Sequence, residues 1–244
     1  MAHCRRWPLR LDAYFLEQNG ADVTATDIAD GLLAQAKEAG IIKRFQKENA
    51  EMLSFASDAF DFAYCKESYH HLPQPMKALY EMVRVAKTAA ILIEPQDFQI
   101  PHGFIPTLSR LAKDLLKRAL GREYKGHEFE KVGNFVYKIS RREIEKVALG
   151  SGFPTVAFKG INDYYTDGVG DEAPVPSSPI FQAVSKKISR YDTLCRFGLS
   201  QHGLLCAIIF KQAPSQKCRD ALTKAEFFVV DLPSNPWLKT TRAG

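Results

Sequence analysis

Apolar and polar positions along this chain switch repeatedly between a helical period and short strand-like runs. Residues 11–18 set Leu11, Tyr14, Phe15 and Gln18 at helical spacing, and Asn19-Gly20 closes the run as a helix C-terminus commonly closes. A short β-prone run over residues 22–26 ends at Asp27, and a second helical pattern at residues 31–38 is stopped by Gly40. Residues 43–46 predict another short strand, and the apolar Phe60-Asp61-Phe62-Ala63-Tyr64-Cys65 predicts a stronger one. Pro73 and Pro75 break the chain before an amphipathic helix at residues 76–86, whose apolar side is Met76, Leu79, Tyr80, Met82, Val83 and Val85. The continuous apolar run at residues 89–94 reads as a strand buried on both faces and ended by a carboxylate and Pro95.

The second half keeps the rhythm but loosens it. Residues 96–106 read as a polar and aromatic loop, 107–120 as a basic amphipathic helix closed by Gly121, and 122–137 as loop, so 96–137 is expected to form a lid or cap. Ser140 followed three residues later by Glu143 is a capping-box pattern opening a helix at 141–148. A strand at 155–158, with 162–165 as its candidate continuation, a helix at 180–197 and a strand at 203–210 complete a domain spanning residues 1–211. The tail, residues 212–244, has prolines at Pro214, Pro233 and Pro236 and one short apolar run at 227–230, and is expected to be partly packed and partly loose. Helices alternating with strands predict an α/β fold: a Rossmann-like, mostly parallel central sheet with an antiparallel C-terminal strand.

Composition narrows the function classes. The 244 residues are 45% hydrophobic and 25% charged, as in ordinary globular proteins. The net charge of +5 is spread along the chain, with no concentrated basic and aromatic stripe, so no nucleic-acid partner is expected. No run approaches the roughly 18 apolar residues of a membrane span, and residues 1–10 have basic side chains without a following apolar stretch. The five cysteines are odd in number and lack close pairing. These features predict a cytoplasmic monomer or homodimer with no membrane partner.

The chemistry-bearing residues gather at strand ends. Asp27 falls at the carboxyl end of its strand, the edge where open α/β sheets bind ligands, and a carboxylate there can accept hydrogen bonds from both hydroxyls of a ribose. Asp30 is placed to cap the helix that follows. Lys66, Glu67, Tyr69, His70 and His71 form the densest cluster of reactive side chains, and either histidine could serve as a base near neutral pH. Adjacent histidines need a third ligand from Glu94, Asp97 or His102 to hold a metal, and no metal is expected. Glu94, Asp97 and His102 are instead expected to line an acceptor pocket with Glu67 and Tyr69, with Tyr164 on its far wall.

The order of these segments resembles the class I S-adenosylmethionine-dependent methyltransferases over about residues 11–211. The resemblance implies that Asp27 is the acidic residue ending the family's second strand and binding the cofactor ribose, with Ile28 against the adenine ring. It implies that Asn49, in Asn49-Ala50-Glu51-Met52-Leu53, faces the adenine amino group, and that the exit from the fourth strand at Lys66 lies under the methionine portion. Residues 90–95 look like the fifth strand, and 152–165 and 204–210 like the antiparallel sixth and seventh. One departure stands out: the family's first strand and glycine-rich turn find no counterpart, because no glycine precedes Gly20 and Arg5-Arg6-Trp7-Pro8-Leu9-Arg10 fills the place. A truncated or altered start, which leaves the first strand absent, and a shifted binding loop are the two accounts of it. The expected activity is methyl transfer from S-adenosylmethionine to an oxygen or nitrogen of a small molecule. A methyltransferase-like protein without catalysis and a nicotinamide-dependent dehydrogenase are the alternatives.

Overall fold

The computed structural model describes residues 8–97, 104–120, 129, 135–168 and 175–236. Helix α1 (Pro8–Gln18) starts on a proline, whose fixed φ and missing N–H suit a first helical turn. The helix thus begins three residues before the apolar pattern at residues 11–18. Strand β1 (Ala25–Asp27), helix α2 (Gly31–Glu38) and strand β2 (Phe45–Lys47) follow, the two strands pairing in parallel with Asp27 opposite Lys47. Ala13, Leu33, Ala36 and Ile42 close a small core beneath them.

The main sheet is built from β3 (Phe60–Lys66), β4 (Ala86–Pro95), β5 (Thr155–Ile161), β6 (Leu204–Phe210) and β7 (Phe228–Asp231), in the spatial order β3-β4-β6-β5-β7. β3 and β4 are parallel, β6 is antiparallel to both β4 and β5, and β7 is antiparallel to β5. Residues on β4 and β6 alternate between two cores. Ala90, Leu92, Leu205, Ala207 and Ile209 face helices α3 (Pro75–Val85) and α5 (Arg141–Gly150), which contribute Leu79, Met82, Ile144 and Val147. Ala89, Ile208 and Phe210 lie on the opposite face against Leu222 of α7 (Gln216–Lys224). Every residue of β6 is buried, as a central strand covered on both faces requires. Helices α4 (Phe104–Ala119) and α6 (Pro179–Arg196) complete the elements, and no described helix is long and apolar enough to cross a membrane.

This is the expected α/β fold with a mixed sheet, and several details differ. The sheet is divided: among the described residues no strand joins β1 to β3, and the ion pair between Lys66 Nζ and Asp12 Oδ1, 3.3 Å apart, ties the exit of β3 to α1. Residues 1–7, which include Arg5, Arg6 and Trp7 of the segment standing where the glycine-rich turn would be, lie outside the described residues. The sixth and seventh strands are antiparallel to each other, but only β6 runs against β4. Asp30 does not cap α2 through its side chain, because its backbone is already helical at φ −71° and ψ −17°; its carboxylate lies 3.6 Å from Lys47 Nζ instead. Strand β5 stops at Ile161 because Asn162 turns aside, donating to Asp192 Oδ1 at 2.9 Å and accepting from Gly203 N at 3.2 Å. The described part of the tail, residues 212–236, packs on the main sheet. Ser215 caps α7, Phe228–Asp231 adds an edge strand, and Arg219 grips Asp231 through two hydrogen bonds of 3.0 and 2.7 Å.

Candidate functional site

The parallel register sets the site. β3 and β4 end side by side, with Lys66 opposite Ile93, and Pro95 of β4 and Ile161 of β5 both pair with Leu204. The chain segments leaving these three strands therefore emerge at one edge of the sheet. At the end of β3, Glu67 takes a left-handed φ of +48° and donates its N–H to Ile93 O at 2.9 Å. A non-glycine residue held there is uncommon and marks an over-determined turn. It folds residues 68–71 back over the end of β4 as a single 3-10 turn, Tyr69–His71.

Glu94 lies beneath that turn with none of its surface exposed. A buried carboxylate is tolerated only when its lone pairs are satisfied, and four donors converge on this one. Oε1 accepts from Ser68 N at 2.9 Å, Tyr69 N at 3.0 Å and Cys65 Sγ at 3.6 Å, while Oε2 lies 2.6 Å from His70 Nδ1. These donors are what an ionised carboxylate accepts, so His70 presents N–H at Nδ1 and its lone pair at Nε2. The His70 side chain is 11% exposed, and its ring rests 3.9 Å from that of His71, which is exposed. Tyr137 N donates to His70 O at 3.3 Å, and residue 139 runs beside Gln96, with Ile139 N bonded to Pro95 O and Asp97 N bonded to Ile139 O. The loop bearing His70 and the exit of β4 are thus held by a common segment.

Several expected roles change. Glu94 does not line a pocket; it sits below His70 and orients it. Tyr69 is 2% exposed, donates its hydroxyl to Met76 Sδ at 3.2 Å, and belongs to the core rather than to an acceptor wall; burial pushes its hydroxyl pKa up. Burial likewise pushes the Cys65 thiol up, with the neighbouring Glu94 adding to the effect. Glu67 serves the turn through its backbone. Asp97 is half-buried at the same edge. Tyr164 follows β5 at that edge but is exposed, its ring tilted 58° to that of Tyr191 at 6.5 Å, with Lys187 Nζ 5.4 Å from each ring centroid. His102 lies outside the described residues. Among the described residues no group of three His, Cys, Asp or Glu side chains is arranged to hold a metal.

On the smaller sheet, Asp27 ends β1 and its Oδ1 accepts from Ala29 N at 2.8 Å, which pins the carboxylate at the strand end while an ionised carboxyl group can still accept further bonds. Ile28 beside it is 65% exposed, an apolar surface next to the carboxylate. Asn49 is exposed, its Oδ1 accepting from Glu51 N at 3.0 Å, and Ala50 is half-buried. The loop they occupy is fastened at both sides. Glu48, buried, gathers Gln46 Nε2 at 2.6 Å, Ser54 N at 2.8 Å and the Ser54 hydroxyl, and the Ser54 contacts hold its carboxyl below the ordinary range. Glu51 Oε1 accepts from Gln74 N at 2.7 Å, and Glu81 accepts from Leu53 N at 2.8 Å. Arg84 Nη1 and Nη2 donate to Phe55 O and Leu53 O. Two residues were missed from the sequence: Asp12 as the partner of Lys66, and Glu48 as the organiser of the Asn49 loop. For Glu48 the signal is a carboxylate at the carboxyl end of a strand, as at Asp27 and Glu94.

A carboxylate, an apolar neighbour and an amide at the ends of β1 and β2 form a donor and acceptor set that fits a nucleoside: Asp27 for ribose hydroxyls, Ile28 for the ring face and Asn49 for the ring edge.

Parts of the chain resemble known proteins. Residues 11–93 match the sequence model of a methyltransferase domain. The chain is 30% identical over 148 residues to a ubiquinone biosynthesis O-methyltransferase of Paraburkholderia phymatum, covering 58% of this chain and 59% of that protein. It is 32% identical over 101 residues to a demethylmenaquinone methyltransferase of Paenarthrobacter aurescens, covering 41% and 39%. The chain spans about half the length of the curated relatives it matches. Among solved structures, an S-adenosylmethionine-dependent methyltransferase from Methanosarcina mazei aligns with a TM-score of 0.47 at 17% identity, covering 82% of this chain and 86% of that one. The matched domain and the observed strand order together give a class I S-adenosylmethionine-dependent methyltransferase fold, with its sheet divided where the first strand would lie.

Proposed function

We propose that the chain transfers a methyl group from S-adenosylmethionine to a hydroxyl oxygen of a small molecule, with His70 as the general base. The observation that carries this reading is the 2.6 Å contact between His70 Nδ1 and the fully buried Glu94, at the carboxyl edge of β3 and β4. The cofactor, when bound, supplies a methyl group made electrophilic by its sulfonium. Asp27 would hold the ribose, Ile28 and Asn49 the adenine, and the turn at Lys66 the methionine end. His70 Nε2 would take the proton of the acceptor hydroxyl as the carbon–sulfur bond of the cofactor gives way to the new oxygen–carbon bond, and Glu94 would steady the imidazolium that forms. Much of the remaining acceleration comes from alignment of the acceptor oxygen with the carbon–sulfur bond. Amine acceptors fit less well, since an unprotonated amine needs no base before it attacks.

The test has two steps. Calorimetric titration with S-adenosylmethionine should give binding that Asp27→Ala weakens by about tenfold or more, the loss of one or two charge-assisted hydrogen bonds. With phenolic and alcoholic acceptors, His70→Ala should lower kcat by about 10²–10⁴ while leaving cofactor affinity unchanged. Equal binding by wild type and Asp27→Ala would put the cofactor elsewhere. A wild-type protein that fails to bind at millimolar cofactor would identify a methyltransferase fold without the activity.

A further inference from the structure

Helix α4, Phe104–Ala119, carries its apolar residues uncovered. Ile105, Leu108, Leu111, Leu115 and Leu116 are 43–66% exposed, and Ala112 and Ala119 are exposed among them. Their spacing of three and four residues gathers them on one arc of the helix, whereas the sequence positions Arg110, Lys113, Lys117 and Arg118 fall outside that arc at the same period. A helix whose leucines were meant for the core would bury them, as α3 buries Leu79, Met82 and Val83.

The geometry points to α4 as an interfacial helix that lies flat on an anionic lipid surface. Sixteen residues extend about 24 Å, too short to span a bilayer, and four cations in the segment exclude spanning as well. Lying in the interface is a different physical state: the apolar arc enters the headgroup boundary while the long basic side chains reach phosphate oxygens. Charge decides between possible occupants. A protein partner's core contact is depleted in lysine, whereas this segment sets lysine and arginine between its apolar positions in the sequence. The segment has four cations against the single anion Asp114, complementary to phosphodiester headgroups. Surface attachment of this kind would depart from the expectation of no membrane partner. Helix α4 begins at Phe104 and β4 ends at Pro95, so docking would keep the edge bearing His70 and Glu94 within at most about 30 Å of chain from the lipid.

This inference does not depend on methyl transfer, and its test uses neither cofactor nor acceptor. The full chain is sedimented with vesicles of phosphatidylcholine alone and of phosphatidylcholine mixed with phosphatidylglycerol, at low and high salt. The double variant Leu111→Glu/Leu115→Glu runs in parallel, with its thermal melt checking that it folds. Expected are preferential binding to the mixed vesicles, weakening with salt, and a loss of about tenfold or more in the variant. Absence of binding to mixed vesicles, or unchanged binding by the folded variant, would overturn it. So would a wild-type dimer that the variant dissolves with no vesicle binding by either, since a second copy would then be the cover of this face.

Discussion

Glu94 shows how much one buried carboxylate can decide. Replaced by glutamine, it keeps the shape but gains an amide NH2. The amide oxygen is claimed by the N–H groups of Ser68 and Tyr69, which leaves the NH2 facing His70 Nδ1. His70 must then accept at Nδ1 and carry its proton at Nε2, the wrong tautomer for a base. Glu94→Gln should therefore reduce kcat nearly as much as His70→Ala, by about 10²–10⁴, with cofactor affinity intact and stability lowered by about 1–3 kcal/mol in urea titration. A second residue-scale case is Gly160, where an added Cβ would fall 2.3 Å from His202 Nδ1. Gly160→Ala must push the imidazole out of its seat and should cost about 1–3 kcal/mol, read from the same titration. Glycine is needed here for space rather than for an unusual φ.

Among the elements, α5 is the one whose start was most legible. Ser140 Oγ accepts from Glu143 N at 3.2 Å, as the Ser-x-x-Glu spacing implied. Ser140→Ala should cost about 1 kcal/mol, measured by chemical denaturation. Helices α2 and α3 and strands β3, β4 and β6 likewise fall within a few residues of their apolar patterns, because local period and burial agree in them. Strand β7 shows the opposite case. Its run at 227–230 is too short to distinguish a strand from a loop, and what makes it one is pairing with β5 and the Thr155 hydroxyl bond to Asp231 at 2.9 Å. Those partners lie some seventy residues upstream, beyond any local window.

At the scale of the molecule, stability should respond to acid through His202, which follows α6 and lies against Gly160. Burial holds its imidazole below the ordinary value of 6.5, assisted by Arg141 and Lys159 and opposed by Asp192. The unfolded chain therefore takes up the proton first as pH falls. The contribution is full above about 6.5 and drains as pH drops below it towards the folded value. Unfolding midpoints should decline across that window, and His202→Gln should remove that part of the decline. At lower pH a further loss is expected from Glu81, held below the usual carboxylate range by its hydrogen bonds to Arg84. Its stabilisation is present above the ordinary 4.5 and is lost as pH falls through the depressed value.

By itself the sequence determined the α/β class, the succession of elements up to β6 and the strand-end position of Asp27, Asn49, His70 and Glu94. Helical and strand periods are local, and the ends of parallel strands share an edge by topology. Tertiary structure alone decided that Glu94 faces inward to His70, that Tyr69 is core, that Lys66 meets Asp12, and that the sheet is divided between β1 and β3. Each of these depends on which distant segments share a few ångströms. Adjacent residues such as Tyr69 and His70 differ in fate only because the turn after Glu67 sends one side chain to the core and the other to the carboxylate beneath the site.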